Sequence, residues 1–153
     1  MARKAAFFVF SFLLAIIFST QNGFAGEREK AIAFGDQAAA YYKANGEKKF
    51  GEAVNVKGMF KEGELYAWAL KTDFSTIASA FAHPSAALRD KNFIDLKDAN
   101  GKSFIREILK VAQEKGTGWL DYMWTEPVSK KIKPKHTYII RVNDVIILSG
   151  YYD

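Results

Sequence analysis

The 153-residue sequence contains no cysteine, only three prolines and only two histidines. Without cysteine there are no thiol nucleophiles, thiolate metal sites or disulfides, and a domain of this size has core enough to do without cross-links. The histidines, His83 and His136, lie far apart beside a proline or a lysine, and neither adjoins a carboxylate. No Gly-x-Ser-x-Gly elbow, His-Glu-x-x-His pair or phosphate-cradling glycine loop occurs. The residues therefore read as non-catalytic and imply no cofactor. Asp98-Ala99-Asn100-Gly101, with Glu107 beyond it, carries a fragment of a calcium-loop pattern. Aligned on Gly101, the first ligand position falls on Leu96, which cannot coordinate, so the stretch reads as a turn feeding a helix at Lys102.

Charge of one sign is also scarce. The formal net charge is +5, and the only basic cluster is Lys130, Lys131, Lys133 and Lys135. Arg3 and Lys4 open an N-terminal stretch in which Ala5 to Phe18 is apolar except for Ser11, and Gly23-Phe24-Ala25 then offers small residues for cleavage. This is the layout of a secretory signal over residues 1–25. The apolar run is shorter than the roughly 20 residues that span a bilayer, so cleavage is expected, with an uncleaved anchor as the alternative. Without residues 1–25, 20 basic side chains face 17 acidic ones, and the charge falls from +5 to +3. Export and so diffuse a charge speak against a nucleic-acid partner. Residues 26–153 are then expected to form one periplasmic or secreted domain.

What the sequence has in abundance is hydrophobic and aromatic residues, at 49% and 15%. Glu27 to Ala44 has helical spacing, with Ala31, Phe34, Ala38, Tyr41 and Tyr42 on one side, and Asn45-Gly46 reads as its stop. Glu47 to Asn55 reads as a shorter helical piece. Leu65–Thr72 and Thr76–Ala82 alternate as strands, the second ending at His83-Pro84. Ser85 to Asn100 reads as a long loop, a kind of segment that usually carries function. Lys102 to Lys115 is an amphipathic helix stopped by Gly116. From Gly116 the chain alternates through Trp124, passes a polar connection holding Pro127 and Pro134, and finishes in two strands, Thr137–Val142 and Val145–Tyr152, joined at Asn143-Asp144. The fold class expected is α+β: a five-stranded antiparallel sheet with a long N-terminal helix and a second helix packed on it.

Eight aromatic side chains fall on these strands, among them Tyr66, Trp68, Trp119, Tyr122, Trp124 and Tyr138. Tyrosine and tryptophan carry polar tips that need partners when buried, and several together suit a small, apolar-walled pocket. A fixed cation would make such a pocket anion-selective. Lys135 and His83 are the candidates, provided both point into one cavity.

These phrases, in this order, resemble the single Cache domain family of short extracytoplasmic sensors. The similarity rests on Gly116-Thr117-Gly118-Trp119 with Tyr122, Trp124 and Pro127, on Pro134-Lys135-His136-Thr137-Tyr138, and on Ser149-Gly150-Tyr151. Upstream, Gly63-Glu64-Leu65-Tyr66, Ala82-His83-Pro84 and Asp98-Ala99-Asn100-Gly101-Lys102 match in register. The resemblance implies a PAS-like sheet bearing a small-molecule pocket, and a ligand from the class of acetate, propionate, lactate or pyruvate. It implies His83 and Lys135 as donors to a carboxylate, with Trp119, Tyr122, Trp124 and Tyr138 as walls and Tyr66 and Trp68 as secondary walls. Receptors of the family continue into a membrane helix and a signalling module, whereas this sequence closes one residue after its last strand. The expectation is thus a stand-alone, exported binding and sensing module for signal transduction or chemotaxis, presenting its ligand to a membrane sensor kinase or chemoreceptor. The alternative is a protein-interaction module with a vestigial pocket, whose N-terminal helix pairs with such a sensor or with a second copy.

Overall fold

The computed structural model describes residues 22–153, with side chains from Gly26 onward; the expected signal segment, residues 1–25, lies outside the part described in full. Helix α1 runs Asn22–Asn55 and is broken where the sequence placed its stop. Gly46 has φ 76° and ψ 178°, a conformation open to glycine, and the chain re-enters helix at once, so the two expected pieces form one bent element. The Asn45 amide donates to the Tyr41 carbonyl at 3.0 Å, closing one of the carbonyls the break frees.

Strand β1 (Lys61–Glu62) turns through Gly63 into β2 (Leu65–Thr72), and β3 (Ala78–Ala82) returns along the same edge of β2. The third strand starts two residues later than its alternation indicates. The reason is the Asp73 carboxylate, which accepts from the amides of Ser75, Thr76 and Ile77 and holds them in a turn. After a single 3-10 turn at Ala86–Leu88 and an irregular stretch come α2 (Phe104–Lys115), β4 (Thr117–Thr125), β5 (Ile132–Val142) and β6 (Val145–Tyr152).

The strands form one antiparallel sheet in the order β1-β2-β6-β5-β4, with β3 beside β1 on the outer edge of β2. Six strands thus replace the expected five, the addition being the two-residue β1. Strand β5 also begins five residues before Thr137 and passes through Pro134, so the connection expected there is partly strand. Proline is tolerated because its carbonyl, and with it the side lacking an N–H, faces β6 just where that strand gives out, at Asp153.

Alternation gives the sheet two unlike faces. On one, α1 buries Ala38, Ala39, Phe50, Ala53 and Val54 against Ala67, Ala69, Ala82, Ile140, Val145 and Ile147. On the other, α2 buries Phe104, Ile105, Ile108, Leu109 and Ala112 against Leu70, Ile139, Ile146 and Leu148, and toward one end this core passes into a cluster of aromatics. The candidate site occupies that end.

Candidate functional site

Four strands place the floor. Val142 faces Val145 across the two-residue turn, and counting outward along the hairpin sets Lys135 opposite Tyr152. On its other side Lys135 faces Tyr122 of β4. Tyr66 and Trp68, two apart on β2, project to the same face of the sheet and belong to the same core as Tyr122 and Tyr152. Helix α2 closes over them through Phe104, whose ring stacks on Tyr122 at 4.2 Å.

Lys135 is fully buried, and its Nζ has no hydrogen-bond partner. The amine sits 3.8 Å from the centre of the Tyr66 ring and 5.2 Å from that of Tyr152. Burial alone pushes its pKa well below the ordinary 10.5. Trp68 Nε1 is likewise buried without an acceptor. Native proteins leave few such donors, because each one stripped of water and given nothing in exchange costs about 1–3 kcal/mol. Among the described residues these two are the only buried side-chain nitrogens or oxygens left unpaired, and they share one face of the sheet.

His83 directly follows β3, beside the same rings, its centroid 5.5 Å from that of Tyr66 and 5.4 Å from that of Trp68. Its Nδ1 accepts the Ser85 amide at 2.9 Å, which leaves the proton of the neutral ring on Nε2. Burial above all pushes its pKa down to about 3, so the ring is neutral at physiological pH. The backbone here is pinned by two residues. Asn55, at the end of α1, accepts the His83 amide and donates to the Phe81 carbonyl. The Arg89 guanidinium donates to the carbonyls of His83, Asn55 and Pro84.

Two spaces adjoin these groups. The inner one, bounded by Tyr66, Trp68, His83, Phe93, Phe104 and Trp124 among others, holds about 10 Å³, the room of a single water. The outer cleft holds about 480 Å³ and is lined by Lys61, Ser85, Pro127 and Lys130 together with Tyr66, His83 and Trp124. The last three side chains line both spaces and form the partition between them. Lys135 lines neither; it lies behind Tyr66, within the floor.

Of the eight residues expected at a ligand site, six come together on this face: His83, Lys135, Tyr66, Trp68, Tyr122 and Trp124. Trp119 and Tyr138 do not. They face each other across β4 and β5 on the α1 side, ring centroids 5.3 Å apart, with the Arg28 guanidinium 4.1 Å over Trp119. Parity is the cause. Trp119 is an odd number of residues from Tyr122 and Trp124, and Tyr138 from Lys135, so each must point the other way. Reading the sequence also missed Tyr152, whose hydroxyl meets that of Tyr66 at 3.4 Å and donates to the Thr125 carbonyl at 3.2 Å. Counting back from the Asn143-Asp144 turn would have found it. Phe93 and Leu96, which the long loop brings to the hollow, and the braces Asn55 and Arg89 left no such signal.

The site offers donors and no carboxylate: an amine, an indole N–H, an imidazole N–H and tyrosine hydroxyls. Burial raises the pKa values of Tyr66, Tyr122 and Tyr152, so all three keep their protons. Such an array suits a ligand that only accepts. Among the described residues no group of His, Asp or Glu side chains is placed to hold a metal ion, and no helix is long and apolar enough to cross a membrane.

A family model described as a Cache domain matches residues 37–149. Among solved structures, the chain resembles a methyl-accepting chemotaxis protein from Vibrio parahaemolyticus with 22% identity and a TM-score of 0.71, over 86% of this chain and 92% of the other. A periplasmic sensor domain of a chemotaxis protein matches with 21% identity and a TM-score of 0.64, over 84% and 93% of the two chains. A Cache chemosensory domain, solved for its carboxylic acid recognition, matches with 19% identity and a TM-score of 0.67, over 87% and 98%. At these identities the likeness is one of fold.

Proposed function

The chain belongs to the Cache domain family, and on that footing we propose that it is an extracytoplasmic sensing module that binds a short carboxylate without transforming it. The observation that carries this reading is the pair of buried, unpaired donors, Lys135 Nζ and Trp68 Nε1, on one face beside His83. A carboxylate has two oxygens and about four lone-pair sites, all acceptors. One oxygen drawn to Lys135 and another shared by Trp68 and His83 Nε2 would satisfy donors that the protein itself leaves open. A hydrogen bond to a charged group is worth about 1.5–3 kcal/mol, enough for the site to distinguish an acid from its amide. Tyr122, Trp124, Phe104 and Tyr66 supply the apolar walls for a chain of one or two further carbons.

A ligand of that size exceeds the single-water hollow. Its entry requires the partition of Tyr66, His83 and Trp124 to part, so that hollow and outer cleft merge. Lys135 Nζ, 3.8 Å behind the Tyr66 ring, is uncovered by the same displacement. The kinship with sensor domains of chemoreceptors supports a role in chemotaxis or a related signalling path, with a membrane receptor or kinase reading the bound state. Residues 1–25 would then serve as the export signal.

Thermal melting with acetate, propionate, lactate and pyruvate tests the reading. An acid present at 100 times its Kd should add about 2.7 kcal/mol of stability, and the corresponding amide should add none. Lys135→Ala should abolish the shift. If folded protein gains nothing from any short acid, the proposal fails.

A further inference from the structure

Lys135 is approached from every side, and none of the groups facing it is an anion. Tyr66 comes from β2, Tyr152 from β6, Tyr122 from β4 and His83 from just past β3. Helix α2 and the long loop contribute Phe104, Phe93 and Leu96 to this side, none of which titrates. The buried carboxylates of the chain are engaged elsewhere. Glu126 accepts from the amides of Val128 and Ser129, and Asp98 from those of Asn100, Lys102 and Met123. Lys133, two residues before Lys135 on β5, lies 3.9 Å from Glu126, Lys61 and Lys130 line the outer cleft, and Arg89 is committed to backbone carbonyls. An ammonium held there would be a desolvated charge with no counter-ion, and attraction to the Tyr66 ring returns only part of that cost. A carboxylate brought beside the amine reverses the balance, because an adjacent opposite charge favours the ionised form.

We propose that the site takes up its acid together with a proton: Lys135 is an uncharged amine before the acid enters and an ammonium in the complex. This inference rests on the carboxylate reading above and specifies how the site is regulated. The balance is that of RCOO⁻ plus one H⁺ from solvent joining a neutral site to give an ammonium–carboxylate pair, with no bond broken in the ligand. Affinity then depends on both acid and pH. Between the lysine's pKa without acid and its pKa with acid, Kd weakens tenfold for each unit of rising pH. The protein would thus report the acid most strongly where the surroundings are themselves acidified. His83 is not the proton acceptor in this scheme, because its free lone pair is already occupied by the Ser85 amide.

Isothermal titration calorimetry with acetate and with pyruvate, at one pH in phosphate, HEPES and Tris, reads the proton directly. The observed heat should vary linearly with the buffer's ionisation heat, with a slope near one proton taken up per acid bound. Kd should rise about tenfold from pH 7 to pH 8. Binding with heats independent of buffer and a Kd flat from pH 6.5 to 9 overturns the coupling while leaving acid binding intact. Absence of binding in every buffer overturns both. His83→Gln should bind acid more weakly, having lost one donor, but each acid it binds should still bring a proton; binding in that variant without uptake would move the proton to His83 and overturn the assignment. An independent readout needs no affinity at all. In protein labelled with 13C-lysine, the Lys135 Cε signal should be that of a free amine at pH 7.5 and move to the ammonium position on adding acetate. A signal without acid that titrates at the ordinary 10.5 refutes the proposal.

Discussion

Replacing Lys135 by methionine should stabilise the protein and silence it at once. Methionine matches the lysine stem in length, and its thioether is a favourable neighbour for the rings of Tyr66 and Tyr152. The substitution deletes a buried donor that has no partner, a group whose burial costs about 1–3 kcal/mol. For a domain of this size that corresponds to a rise in Tm of about 4–10 °C. The gain should also depend on pH. The folded-state pKa of Lys135 is depressed, so between that value and the ordinary 10.5 the unfolded chain holds a proton that the native state lacks. Stability of the natural protein therefore climbs with pH through this window, by about 1.4 kcal/mol per unit, and the methionine variant lacks that contribution. Calorimetric melts at pH 7 and 9, each with and without 10 mM acetate, separate the effects. Acetate should raise the Tm of the natural protein and leave that of the variant unchanged. A variant less stable than the natural protein by 1 kcal/mol or more would show that the amine is already satisfied, and a variant that still responds to acetate would remove Lys135 from the site.

His83 gives an acid-side counterpart. Its pKa falls from 6.5 to about 3 on folding, so between those values the unfolded chain binds a proton the native state excludes. Stability should fall as pH drops through that window, by about 4–5 kcal/mol in all; urea midpoints at pH 7, 5 and 4 should converge for the natural protein and His83→Gln if the histidine is responsible, and parallel curves would refute this. The two faces of the sheet predict opposite results for two tryptophans. Trp119→Phe, on the α1 side beside Tyr138, should leave the acetate shift intact, whereas Trp68→Phe, which deletes the unpaired Nε1, should weaken acetate binding about tenfold, both read by calorimetric titration. Gly35→Ala should destabilise by about 1–2 kcal/mol in urea unfolding despite alanine's better helix propensity, because a Cβ there would stand 2.8 Å from Ser149 Oγ and 3.0 Å from the Tyr138 ring; a variant as stable as the original would mean the helix does not sit that close.

Local rules carried most of the architecture. Gly46 and Gly116 mark the break in α1 and the end of α2 where spacing put them. The Asn143-Asp144 turn fixes a register that runs seven residues outward without a slip, to Lys135 and Tyr152. Alternation sets Trp119 against Tyr122 and Trp124, and Tyr138 against Lys135, and applied strictly would have excluded Trp119 and Tyr138 from the face of the other candidates. What stayed illegible depends on contacts distant in sequence. Pro134 argues against a strand until one sees that β6 ends beside it. The Asp73 turn delays β3 through bonds that composition does not reveal. Most of all, nothing local says that Lys135 will be fully buried with no anion to meet it, since a lysine between a proline and a histidine in a basic cluster reads as a solvated one.

The two faces of this one sheet follow opposite rules, and the contrast locates where a ligand can be accommodated. Against α1 the sheet presents Ala67, Ala69 and Ala82, meeting Ala38, Ala39 and Ala53 of the helix. Gly35 passes with no room for a methyl group, and Ser149 Oγ closes onto the Ala31 carbonyl at 2.5 Å. Along this strip, short side chains at close approach leave no rotamers to change and little slack to give, while the larger rings of the same face, Phe50 and Phe60 among them, stack on one another. On the α2 side the side chains are large, and the hollow is separated from a cleft of about 480 Å³ by three of them, Tyr66, His83 and Trp124. Any volume a ligand requires must therefore come from that partition and from the loop that carries Phe93 and Leu96, because the strands beneath are clamped from behind by the helix. The same division accounts for the unpaired donors. A chain that closes its polar atoms on one face and leaves Lys135 and Trp68 open on the other gives up stability at one place, and that place lies beside the partition able to move.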